Sequence, residues 1–149
     1  MKSLTLVPNA VPVAQAVTVP VSLRQLIDQL MTGLLPLTVE KKSFFINDVD
    51  RTFLLHSDEN VLAYVLGNLL SGAVNGSENV CIRVETVFDE GCIQIRVRNN
   101  GTYLYSTATY SFSQLVKAAR QLGGSISIYN QQNQGTTITL SIATQKIAC

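Results

Sequence analysis

The sequence predicts an α/β (α+β) two-layer sandwich: a mixed, mostly antiparallel sheet of about five strands with three helices on one face. Three observations carry this. Two pairs of segments alternate apolar and polar residues with period two, the mark of strands with one buried and one wet face. Three longer segments carry apolar stripes at helical spacing. The chain has 149 residues with 46% apolar and 14% charged, which suits one domain with its own core.

Taken in order, Val17 to Val19 read as a short edge strand closed by Pro20. Ser22 has the character of a helix N-cap, with Gln25 in the capping-box position. Leu23, Leu26, Ile27, Leu30, Met31 and Leu34 then form an apolar face, and Gly33 and Pro36 are expected to end that helix. Ser43 to Ile46 read as a strand, and Arg51 to Leu55 as another or as a turn back. Ser57 or Asp58 caps a second helix striped by Leu62, Val65, Leu66, Leu69, Leu70 and Ala73, which Asn75-Gly76-Ser77 stop.

A hairpin follows. Val80, Ile82 and Val84 alternate with Cys81, Arg83 and Glu85, while Ile93, Ile95 and Val97 alternate with Gln94, Arg96 and Arg98. Asp89-Glu90-Gly91 form the turn; if Val87 faces Cys92, Cys81 lies six residues further along its strand, about 20 Å and outside disulfide reach. Beyond the polar stretch after Asn99-Asn100-Gly101, a third helix carries Phe112, Leu115, Ala118, Ala119 and Leu122 up to Gly123-Gly124. A second hairpin closes the chain, with Ile126 and Ile128 on one arm and Ile138, Leu140 and Ile142 on the other.

Charge excludes some functions. Eleven basic and ten acidic residues give a net charge of +1, and no run exceeds Lys41-Lys42. Neither nucleic acid nor a membrane surface is an expected partner. No segment reaches the eighteen or so apolar residues of a membrane span. Pro8, Asn9 and Pro12 break the apolar opening that a secretory signal would need, so a cytoplasmic location is expected. Cys81, Cys92 and Cys149 match no zinc spacing and are expected to be buried or idle thiols.

Several segments agree, in order, with a known family. VPVSLRQL from Val19, DENVLAYVLGNLLSGA from Asp58 to Ala73, CIQIRVRNNG from Cys92 to Gly101, and LVKAARQLGGSISIYNQQNQGTTITLSI from Leu115 to Ile142 resemble the ATP-binding domain of sensor histidine kinases. That family belongs with gyrase, heat-shock chaperone and mismatch-repair ATPases. The resemblance covers residues 19 to 143, leaving 1–18 and 144–149 as tails. It implies an ATP pocket between helices and sheet, closed by a lid.

The resemblance also shows what has changed. The family's Mg²⁺-holding asparagine falls on Gly72, which offers no side-chain oxygen. Asn68 matches an earlier asparagine of that motif, and reads either as a pocket residue or as a polar residue on the helix's wet edge. The aspartate that recognises adenine becomes Asn99. Gly101 is kept, but Tyr103 replaces the next glycine. The phosphate-cradling glycines fall on Thr109 and Ser111, where side chains hinder the close approach of backbone N–H groups to an anion. The lid is effectively deleted, and Thr136 matches a threonine of the adenine site. Asn68, Asn99, Gly101 and Thr136 are thus the remnant of a nucleotide pocket.

No residue is assigned a catalytic or metal-binding role. The lone His56 precedes the second helix and reads as structural. The expectation is a degenerate kinase-like domain without ATP or Mg²⁺, acting as a binding or scaffold module. The partner implied by the resemblance is a response regulator or a kinase dimerisation domain. Tyr103, Tyr105, Tyr110 and Phe112 are the candidate interaction surface, or else the rings that fill the vacated pocket. A divergent but active ATP-binding kinase domain, and an anti-sigma-type regulator of a transcription factor, are the alternatives.

Overall fold

Eleven elements run from Val19 to Ala143 in the computed structural model, which describes residues 18–76, 78–100, 110–131 and 135–143. They are β1 Val19–Ser22, α1 Leu23–Gly33, α2 Leu35–Glu40, β2 Phe44–Asn47, β3 Leu54–Ser57, α3 Glu59–Asn75, β4 Cys81–Asp89, β5 Cys92–Asn99, α4 Tyr110–Gln121, β6 Gly124–Gln131 and β7 Gly135–Ala143. Five strands form a sheet in the order β2-β4-β5-β7-β6. The β2–β4 pair is parallel and the other three pairs are antiparallel. A separate ribbon pairs β1 with β3.

The helices take one face because the inward residues of the strands and the apolar stripes of α1, α3 and α4 share one core. Leu23, Leu26 and Ile27 of α1, Leu62 to Val74 of α3, and Leu115 and Ala119 of α4 bury against Ile82, Val84, Ile93, Ile95, Val97, Ile138, Leu140 and Ile142. A Cβ at Gly67 of α3 would stand 3.5 Å from Leu30 of α1, so the two helices are neighbours on that side. The expected layering is therefore present. No helix among the described residues is long and apolar enough to cross a membrane.

Local chemistry sets the helix starts. Ser22 Oγ accepts from Gln25 N at 3.3 Å. Of the two candidate caps for α3, Asp58 is the one used, its Oδ1 accepting from Asn60 N and Val61 N at 3.1 and 3.2 Å, which satisfies donors that a helix start leaves open.

Several expectations need correction. Pro20 lies inside β1 rather than closing it, since a strand in a two-stranded ribbon needs only alternate N–H groups for pairing. Pro36 does not only stop α1: it sits in the first turn of α2, where a missing N–H costs nothing. The strand read at Arg51 to Leu55 is Leu54–Ser57.

The first hairpin turns on Glu90 and Gly91 alone, with φ of 47° and 80°, the signature of a two-residue type I′ turn. Asp89 therefore faces Cys92, and Val87 faces Gln94. Eight residues separate Asp89 from Cys81 on β4, about 26 Å at strand rise, so Cys81 and Cys92 are beyond disulfide reach. Cys81 is a free thiol. Cys92 is buried and disulfide-bonded, which corrects the expectation of idle thiols.

Candidate functional site

The helix-facing side of the sheet ends in a polar row. Along β5 the inward positions are Ile93, Ile95, Val97 and then Asn99. Along β7 they run back from Ile142, Leu140 and Ile138 to Thr136. Along β6 they are Ile126, Ile128 and then Asn130. The pairing register aligns the three polar ends, because Asn99 faces Thr136 and Thr136 faces Asn130. Two hairpins whose apolar alternation stops at the same level thus place two amides and a hydroxyl side by side, with Asn99 against α3.

Each member has a defined partner. Asn99 is 3% exposed, and its Nδ2 donates to the carbonyl oxygen of Ala73 in α3 at 3.0 Å. This bond ties the end of β5 to the last turn of the helix. Thr136 is 2% exposed, and its Oγ1 donates to Asn130 Oδ1. Gly135 precedes it with φ of +94°, and a Cβ there would collide with the carbonyl oxygen of Asn99. The glycine lets β7 begin hard against β5, in a backbone region that side-chain-bearing residues avoid.

The remaining predicted residues lie elsewhere or outside the described part. Asn68 is exposed on α3, and its Nδ2 donates to Tyr64 O in the same helix at 2.7 Å. The cause is that an asparagine four residues beyond an exposed carbonyl can bond back to it. Gly72 is half-buried one turn further along α3. Gly101, Tyr103, Tyr105 and Thr109 lie outside the described residues, as do the side chains of Tyr110 and Ser111. Tyr110 opens α4, and Phe112 in its first turn is half-buried. His56 stands exposed on β3, opposite Pro20.

Asn130 completes the row and was not singled out. The signal was available, since it falls two residues beyond Ile128 and four beyond Ile126 in the same alternation, and on the edge strand it stays exposed while accepting from Thr136 Oγ1. The row is electrically neutral, with two amides, one hydroxyl and no carboxylate. Among the described residues no three His, Cys, Asp or Glu side chains are grouped to hold a metal ion.

No family profile matches the sequence, and no curated protein matches it. Solved structures do. The chain is similar to the histidine kinase AdeS of Acinetobacter baumannii, with a TM-score of 0.78 at 12% identity over 91% of this chain and 73% of that one. It is similar to the catalytic domain of the histidine kinase ThkA, at 0.75 and 18% identity over 85% of this chain and 97% of that domain. ThkA in complex with the response regulator TrrA matches at 0.71 and 18% identity, over 86% of this chain and 42% of that one. At such identities the likeness is one of fold: the chain has the histidine kinase-like ATPase fold.

Proposed function

We propose that this chain is a histidine kinase-like domain that has lost ATP and serves as a protein-binding module in two-component-type signalling. The observation that carries the reading is Asn99. It stands where the resemblance places the adenine-recognising aspartate, yet it is buried and donates to Ala73 O. A carboxylate cannot donate that bond at neutral pH, so the position works as a strand-to-helix tie. Gly72 brings no oxygen for Mg²⁺, and the row beside it carries no charge. These residues do not fit Mg²⁺ and ATP, and no phosphoryl-transfer step is assigned to them.

A response regulator or a kinase dimerisation domain is the partner class we favour. The ThkA–TrrA complex supports it, being a domain of this fold in a chain that binds a response regulator. The aromatic segment of Tyr103, Tyr105, Tyr110 and Phe112 remains the proposed contact. A cytoplasmic setting goes with that partner, although a disulfide such as that of Cys92 persists best in oxidising compartments.

Thermal unfolding with Mg²⁺ and ATP tests the loss of nucleotide. A ligand at 100 times its dissociation constant stabilises a fold by about 2.7 kcal/mol, roughly 5–11 °C for a domain of this size. We expect no rise at millimolar nucleotide. A rise of several degrees would instead establish the divergent, nucleotide-binding kinase domain.

A further inference from the structure

The sheet has a second face, opposite the helices, and its chemistry is different. Strand alternation sends Ile82, Val97, Asn99 and Thr136 toward the helices, so Cys81, Arg83, Arg98 and Thr137 project the other way. Arg83 and Arg98 are direct partners across β4 and β5. Thr137 is the partner of Arg98 across β5 and β7. Like charges directly opposite each other disfavour strand pairing, and an arrangement that tolerates them calls for an explanation.

Part of the explanation is local. Asp48 pairs with Arg83, and Glu85 pairs with Arg98 at 3.3 Å. Both are solvent-accessible pairs, of a kind worth about 0–1 kcal/mol, and each guanidinium has five donors. Two residues along β5, Arg96 bonds to the neutral Gln94 at 2.9 Å. By the same alternation Asp89 also lies on this face, so its charges balance, and an anion would be held by the guanidinium donors that the two exposed ion pairs leave over. Beside the first two guanidiniums lies a cleft of about 210 Å³ walled by Cys81, Arg83, Arg98, Asn99, Asn100, Thr136 and Thr137. Asn100 is held at its rim by accepting from Cys81 N at 2.9 Å.

We propose that this cleft binds a phosphate group, free or esterified, with Arg83 and Arg98 as charged forks and Thr137 as a hydroxyl donor. Paired arginine forks match the oxygens of a phosphate group in both geometry and charge. The cleft falls below the usual volume of a small-molecule pocket, about 300–1,000 Å³, so it suits one anionic group and not a nucleotide. Asn99 and Thr136 of the polar row also line it, but phosphate binding is read from amide shifts and the loss of ATP from thermal unfolding, so the two readings fail separately.

Backbone amide NMR at low ionic strength, where exposed charges are least screened, tests the site. Inorganic phosphate is titrated in one arm and a phosphoserine peptide in the other, against chloride at matched ionic strength. Saturable shifts are expected at Arg83, Arg98 and Thr137. Arg83→Gln and Arg98→Gln should each weaken binding at least tenfold, Arg98→Lys should weaken it less, and Arg120→Gln on α4 should leave it unchanged. Tighter binding of the peptide would identify an esterified source; equal binding would identify phosphate itself. Shifts that chloride reproduces, that never saturate, or that survive both glutamine variants in folded protein would overturn the assignment.

Discussion

Asn99→Asp asks what the polar row is for. In a working nucleotide pocket, an aspartate here would restore the group that recognises adenine. In this structure it would replace a buried donor, 3.0 Å from Ala73 O, by an acceptor facing an acceptor. Losing the bond and leaving the carbonyl unsatisfied costs about 1–3 kcal/mol. Burying a charge there adds to that, so a total of about 3 kcal/mol is expected at neutral pH. For a domain of this size it corresponds to a fall in Tm of roughly 6–12 °C.

The pH dependence separates the two contributions. Burial and the facing carbonyl both favour the neutral acid, so the new carboxyl has a raised pKa in the folded state. A raised folded-state pKa means that the folded protein holds the proton more tightly than the unfolded chain. The defect is then smallest below about pH 4, the unfolded value, and grows as pH rises through the folded one. Below the unfolded value the protonated acid can also donate to Ala73 O. Urea unfolding of both proteins from pH 3.5 to 7.5 measures this. An Asn99→Asp protein as stable as the parent at pH 7.5, and stabilised further by ATP, would refute the tie and the loss of nucleotide together.

Two further perturbations test the surroundings. Gly135→Ala should destabilise the fold by about 2 kcal/mol or more, because its φ of +94° is strained for alanine and the added Cβ meets the backbone of Asn99; chemical unfolding checks this, and a neutral effect would mean β7 does not start against β5. The hydrogen bonds from Thr52 N and Thr52 Oγ1 hold the Asp50 carboxyl below its ordinary pKa. A depressed folded-state value contributes stability above the unfolded pKa that is lost as pH falls through the folded one. Thr52→Val removes the hydroxyl but keeps the N–H, so the Asp50 pKa should move part of the way back up; an NMR titration showing no upward movement would contradict the geometry.

How far the sequence discloses this molecule depends on the range of the interaction that decides each feature. The two hairpins and the stripes of α1, α3 and α4 are local patterns, and they are where periodicity placed them. The β2–β4 pairing is not local: α3 lies between the two strands in the chain, and nothing in Phe44–Asn47 announces a parallel partner at Cys81 to Val84. The β1–β3 ribbon joins segments more than thirty residues apart for the same reason. The short α2, LPLTVE, was hidden because Pro36 reads equally as a stop and as a first-turn residue, and only the packing of Thr38 beneath it decides.

The candidate site divides along the same line. Asn99 and Thr136 were found by position in a motif, but that they face each other follows from the register of β5 against β7, a long-range pairing that no local turn sets. Motif position does not say which way a helical side chain bonds, and Asn68 turns back on Tyr64 O of its own helix. Asn130 and the Arg83–Arg98 pair were legible in principle. Both rest on counting inward and outward positions across neighbouring strands, so they needed the correct register before they needed any knowledge of family. Where function has drifted from its fold, register arithmetic is therefore the more transferable guide. A motif reports what a position does in relatives, whereas alternation reports which side chains can meet in this chain.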